Sequence, residues 1–186
     1  MEDVTHGYKV MMVTKTRDQV ARLAAALEEE EYPVRQRNKK TGEIRVIYRK
    51  PVVLKMVGQD KTIDHKKKLA REGKVDILVC TEVVQMNTDI DRMDCLHDIM
   101  PVNNDQTIRQ RTGRVTRAHP DKKPPRIRIW RFSAHPINHS ASSYLNAVWE
   151  RREEWYLRHG FDIIDIGDFT KATRGPAKDS YINRKR

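Results

Sequence analysis

Apolar residues gather along this chain in short runs separated by longer polar stretches, and the spacing inside each run predicts its element. YKVMMVT (residues 8–14) is nearly unbroken and rich in β-branched and Met side chains, as a buried strand requires. Behind it Thr16 and Gln19 form a capping-box pair, and Val20, Leu23, Ala24 and Leu27 recur at i, i+3, i+4 and i+7, one face of a helix. VVLKMVG (52–58) predicts a second strand, followed by Asp60 as the cap of a helix that ends at Gly73. KVDILVCT (74–81) is apolar almost throughout, the pattern of a parallel strand covered on both faces. CLHDIMPV (95–102) is a weaker fourth strand. Asn104 or Asp105 then caps a helix, and RIRIWRF (126–132) alternates as the strand that follows it.

Strands alternating with helices predict an α/β fold built on a doubly wound parallel sheet, in which ligands collect beyond the carboxyl ends of the strands. Those ends lead here into TKTRDQ (14–19), GQD (58–60) and TEVVQMNTD (81–89), which are more polar than a connection needs. Two segments stand outside this core. VRQRNKKTGEIRVIYRK (34–50) reads as a hairpin turning through Asn38 to Gly42 and carries seven Lys/Arg against one Glu. Further on, Ser140 caps a helix with Leu145, Val148, Trp149 and Tyr156 on one face, ending at Gly160. FDIIDIGDF (161–169) reads as a last strand, before a mobile basic tail. The expected organisation is a core domain over 1–134 with the 34–50 hairpin inserted, a helix-strand extension over 135–168, and a flexible tail over 169–186.

Charge points to the partner. A net charge of +11 and a pI near 9.8 favour a polyanion, nucleic acid first and anionic membrane second. No apolar run approaches the roughly 20 residues of a membrane span, so no membrane partner is expected. The N-terminus lacks the order of a signal peptide, and a cytoplasmic location follows, the host cytoplasm if the chain is phage-encoded. Cys80 and Cys95 sit in apolar runs as small buried hydrophobes, and His135 and His139 straddle a proline, so no metal site is expected. No glycine belongs to a GxxxxGK[ST] loop, so the chain does not hold a nucleoside triphosphate by itself in the usual way.

The densest chemistry lies in QTIRQRTGRVTRAHP (106–120), with arginines at 109, 111, 114 and 117. Gly113 sits among them although glycine costs a helix interior about 1 kcal/mol relative to Ala. Arg114 and Arg117 are three residues apart on one face. Planar, permanently charged guanidinium groups in that arrangement can act on a phosphate held by another domain.

QRTGRVTR (110–117) resembles motif VI of superfamily 2 helicases, Q-R-x-G-R-x-x-R. ILVCTEVVQMNTDID (77–91) resembles motif V and VMMVTKT (10–16) motif IV, in the order of the family's second RecA-like domain. The C-terminal helix, with Arg152 and Tyr156 in an R-x-x-x-Y pattern, is similar to the extension of phage-type and XPB-like helicases. By this resemblance the chain is the second RecA-like domain of an ATP-dependent helicase or translocase, inactive alone. ATP and Mg²⁺ would be held mainly by a P-loop RecA-like domain in cis or trans. Arg114 and Arg117 would be the catalytic arginine fingers, with Gln110, Gly113 and Asp89 beside the nucleotide. Arg111 matches the motif as well, with a structural ion pair as its other reading. Thr14, Lys15, Gly58, Gln59 and Thr81 would lie along the nucleic-acid strand, DNA favoured over RNA. Arg35, Arg37, Lys39 and Lys40 of the hairpin are further candidate nucleic-acid contacts on charge alone. The family's glycine two residues before Asp89 is Asn87 here, a residue that tolerates left-handed backbone. That departure keeps a second expectation open, a nucleic-acid-binding or regulatory module with this fold and no catalysis. Trp149, Trp155 and Tyr156 read as core residues before they read as base-stacking ones.

Overall fold

A computed structural model describes residues 2–38, 42–82, 90–100, 104–130, 139–163 and 182–184. In chain order the first elements are α1 (Glu2–Thr5), β1 (Val10–Thr14), α2 (Arg17–Glu29), β2 (Tyr32–Arg37), β3 (Ile44–Arg49), β4 (Val53–Met56) and α3 (Ile63–Arg71). They are followed by β5 (Ile77–Thr81), β6 (Cys95–Asp98), α4 (Asp105–Thr116), β7 (Arg126–Ile129), α5 (His139–Arg158), β8 (Phe161–Ile163) and β9 (Ile182–Arg184). Strands β4, β5, β1, β6 and β7 lie side by side in that order, all parallel. The doubly wound α/β sheet expected from the apolar runs is therefore present. Each strand is shorter than its run, because flanking apolar residues such as Tyr8 and Val75 enter the core from the connections.

The two-residue period of β1 serves both faces of the sheet. Val10 and Met12 pack with Val20, Ala24 and Leu27 of α2, while Met11 and Val13 join Ile108 and Val115 of α4 and Trp155 and Tyr156 of α5. Each such fully buried side chain contributes about 1.5–3 kcal/mol. Burial of Trp155 and Tyr156 settles them as core.

The helix ends follow local chemistry. Thr16 caps α2: its side chain accepts from Gln19 N, and the Gln19 side chain accepts from Thr16 N. Asn104 caps α4, its Oδ1 accepting from Gln106 N at 2.9 Å and Thr107 N at 3.2 Å. Two expected caps are corrected. The first residue before α3 is Thr62, and Asp60 shapes the preceding turn by accepting from the Thr62 amide and hydroxyl. α5 starts at His139, ahead of Ser140. Gly73 and Gly160 both take the left-handed backbone expected just past a helix, at φ +69 and +76.

The hairpin forms as expected, β2 and β3 pairing antiparallel in a sheet of their own from Tyr32↔Arg49 to Arg37↔Ile44. Its turn, with Lys39 and Lys40, lies outside the described residues. Asp76 fixes its root, accepting from Lys9 Nζ at 3.0 Å, Arg49 Nη2 at 3.1 Å, Tyr32 OH at 3.3 Å and Val52 N at 2.9 Å. The tail departs from expectation at Ile182–Arg184. These residues form β9, antiparallel to both β7 and β8, and extend the sheet to seven strands. A second buried carboxylate joins α1 to β6 and β7: Asp3 meets His97 Nε2 at 2.8 Å, Arg128 Nε at 2.6 Å and Arg126 at 3.3 Å. No helix among the described residues is long and apolar enough to cross a membrane.

Candidate functional site

Helix α4 has two faces of opposite character. Ile108, Arg111, Thr112 and Val115, at i, i+3, i+4 and i+7, are buried against the sheet and α5. On the other side Gln106, Arg109, Gln110, Gly113, Arg114 and Arg117 line one pocket. The pocket brings together four predicted site residues, Gln110, Gly113, Arg114 and Arg117, and adds Gln106 and Arg109. Among the described residues Gly113 does not bring the helix against another backbone. A Cβ there would meet nothing within 4 Å, so its side of the helix opens into the pocket.

Arg111 is drawn the other way. Its Nη1 reaches Asp98 Oδ1 at 2.6 Å and its Nη2 reaches Glu82 Oε1 at 2.8 Å, with the guanidinium wholly buried. The Asp98 carboxylate is equally buried at the end of β6, and its other oxygen meets Arg152 Nη2 at 2.7 Å. Arg152 also donates to the Met100 carbonyl, and the Thr112 hydroxyl meets Tyr156 OH at 3.3 Å. Asp98 thus ties α4 and α5 to the carboxyl end of the sheet, and the structural ion pair is the reading of Arg111 that holds. Breaking such a buried pair by removing one partner costs about 3–5 kcal/mol, because the remaining charge is stranded. Burial in this region pushes the Tyr156 hydroxyl and the Cys80 thiol each up to about 12.

At its far end α4 stops before Arg117, whose backbone is already extended at ψ 136. Lys122 Nζ donates to the carbonyls of Val115 at 2.8 Å and Arg117 at 2.9 Å, capping the helix end with a cation. Burial brings Lys122 down to about 8.

The other predicted residues gather at the carboxyl ends of β1, β4 and β5. Thr14 and Thr81 are paired neighbours in the sheet, both buried. Lys15 is exposed, with its backbone amide on Gln19 Oε1. Gly58 and Gln59 are gathered by Arg17, whose Nη2 donates to the Gly58 carbonyl at 2.8 Å and to Gln59 Oε1 at 3.0 Å. Gln59 holds φ +67, alone among the described non-glycine residues in being left-handed. Arg35 and Arg37 lie on the hairpin, rooted at the amino end of β5 and away from this edge. Asp89 and Asn87 lie outside the described residues.

Sequence reasoning passed over Asp98 and Glu82 as partners of Arg111, and Lys122 as a helix cap. The available signal was an acid directly after each apolar strand run, at ILVCTE and CLHD. Metal-ligand types do meet once among the described residues, at buried Asp3, Cys95 and His97. The two arginines on Asp3 supply the compensating charge there.

Residues 2–119 match the helicase conserved C-terminal domain model. No curated protein matches the sequence. The solved C-terminal domain of the DEAD-box protein Dbp5 is 16% identical, covering 80% of this chain and 76% of that one with a TM-score of 0.51. The yeast DEAD-box splicing factor Prp28 is 15% identical over 82% of this chain and 33% of that one, TM-score 0.52. The Pyrococcus furiosus Hef helicase domain is 18% identical over 78% of this chain, TM-score 0.46, and the chain spans 25% of it. At such identities the likeness is one of fold. Joined to the parallel five-stranded sheet and the two-faced helix α4, the family match shows that this chain belongs to the helicase conserved C-terminal domain family, homologous to the second RecA-like domains of superfamily 2 helicases.

Proposed function

We propose that this domain is one half of an ATP-dependent nucleic-acid helicase or translocase, and that Arg114 and Arg117 reach the γ-phosphate of ATP held with Mg²⁺ by a P-loop domain in cis or trans. The construction of α4 carries this reading. One face is clamped through Arg111 and Asp98, while the other turns guanidinium groups and a bare glycine toward an open pocket. A surface made for a phosphate brought by another domain needs donors with room in front of them, and the pocket lined by Arg114, Arg117 and Gly113 supports that reading. ATP supplies the transferred phosphoryl group. The residues of this chain stabilise the charge that develops on it, an effect of about 10³–10⁵ in rate for an arginine finger. Gln110 and Asp89 line the nucleotide side in this reading.

Thr14, Lys15, Gly58, Gln59 and Thr81 take strand phosphates along the carboxyl edge of the sheet, and the basic hairpin adds contacts through Arg35, Arg37, Lys39 and Lys40. The described geometry gives no reason to prefer DNA to RNA, so the substrate proposed is single-stranded nucleic acid of either sugar. We place the chain in the cytoplasm, and with the phage-type and XPB-like branch on the spacing of Arg152 and Tyr156.

The test is Arg117→Ala in the domain reassembled with its P-loop partner. ATP turnover should fall by about 10³-fold or more while nucleic-acid affinity stays within about twofold. Unchanged turnover would leave a binding module with a helicase fold.

A further inference from the structure

The hairpin projects from the amino end of the sheet, opposite the strand edge at Thr14 and Thr81. Its root is Asp76, just ahead of β5, joined there by Lys9 from just ahead of β1. Thr14 and Thr81 mark the other ends of the same two strands. Five strand residues separate root from edge, about 16 Å. The hairpin therefore does not line the strand track at Thr14 and Thr81, and its surface needs an explanation of its own.

That surface is ordered into two columns. In the β2–β3 register Pro33 pairs with Tyr48, Arg35 with Val46 and Arg37 with Ile44, so all six side chains share one face. Tyr32 and Val34 take the opposite face and pack into the domain. On the outer face Tyr48 is 68% exposed, Val46 57% and Ile44 66%. Arg35 and Arg37 are exposed beside them, with no ion-pair partner among the described residues. An apolar column stands next to a basic one.

We infer that this face is a second platform for single-stranded nucleic acid, with bases lying on Ile44, Val46 and Tyr48 and phosphates against Arg35 and Arg37. The inference rests on the nucleic-acid reading of the domain and not on ATP hydrolysis. Its physical case is the pairing of the two columns, since single-strand sites combine cations that follow the backbone with flat or apolar side chains under the bases. Arg35 and Arg37 are two strand residues apart, about 7 Å, a step that an extended nucleic-acid backbone also makes between phosphates. A duplex hides its base faces and would leave the apolar column uncovered. The charge of the chain, +11, with seven Lys/Arg and one Glu in the hairpin segment, selects a polyanion as occupant.

Binding of the full chain to fluorescent dT and U oligonucleotides of about 12 residues, and to a duplex of the same length, tests it by anisotropy across a salt series. Tyr48→Ala should weaken oligonucleotide binding about fivefold or more, leave the salt slope unchanged and leave duplex binding within about twofold. Arg35→Gln with Arg37→Gln should lower the salt slope by about 1.4. Tyr48→Trp should keep the affinity and have its added fluorescence quenched at saturation. These side chains are exposed, so the variants should keep the unfolding midpoint of the parent. If Tyr48→Ala binds as the parent does, or weakens duplex and single strand equally, the platform is wrong although nucleic-acid binding stands. If the parent chain binds no oligonucleotide, the nucleic-acid reading itself falls.

Discussion

Two arginines six positions apart in one motif have different surroundings, and burial separates them. Arg111 lies on the inward face of α4 and spends its charge on Asp98 and Glu82, whereas Arg117 sits exposed past the helix end. Arg111→Ala should therefore lower the stability of the chain by about 3–5 kcal/mol in urea titrations, leaving carboxylates stranded. Arg117→Ala should change it by about 0.5 kcal/mol or less. Equal losses would mean that Arg117 is structural too. Asp3 provides a pH test. Burial raises its carboxyl, but the hydrogen bond from His97 and the charges of His97 and Arg128 outweigh burial and hold it below its ordinary value of 3.8. A carboxyl depressed in the folded state stabilises fully above that value, and the stabilisation is lost as pH falls through and below it. The urea midpoint should thus drop between about pH 5 and about pH 2, and Asp3→Asn, which removes this titration, should flatten the drop. An equally steep drop in the variant would assign the acid sensitivity to other groups.

At the scale of elements, α4 is positioned by what it buries and made available by what it leaves bare. Gly113 shows this most plainly: it weakens an isolated helix, yet no described residue occupies the space beside it. Gly113→Ala should stabilise the chain by up to about 1 kcal/mol through helix propensity, and in the two-domain assembly it should reduce ATP turnover because the added methyl stands in the pocket. A variant that is more stable and fully active would remove the pocket from the nucleotide interface. The elements themselves were readable where one physical signal dominated. The run VMMV has no polar interruption, and the Thr16–Gln19 box admits one helix start. Asp60 was misplaced as a cap because an aspartate can organise a turn two residues ahead of a helix as well as cap one. β9 was unreadable, since a three-residue strand inside a basic segment owes its place to the open edge of β7 rather than to its own pattern.

For the whole molecule, the motif residues brought together in space were readable because they share a helix face or a strand end, relations fixed by the periods 3.6 and 2. The clamp through Asp98 was not, because it joins β6, α4 and α5, and no local period connects residues 98, 111 and 152. The +11 charge pointed to a polyanionic partner, yet it hid a division among the cations. One group of cations faces the pocket, another follows the hairpin, and several of the most buried ones only hold the fold together. In the proposed reading the pocket is one half of a site that a P-loop domain completes. The most direct measurement is ATP hydrolysis by this chain alone, with and without single-stranded DNA and RNA, and then mixed with its P-loop domain. No turnover alone and nucleic-acid-stimulated turnover on mixing is the predicted result. Turnover by the isolated chain would contradict it, since the nucleotide would then be held completely within these 186 residues.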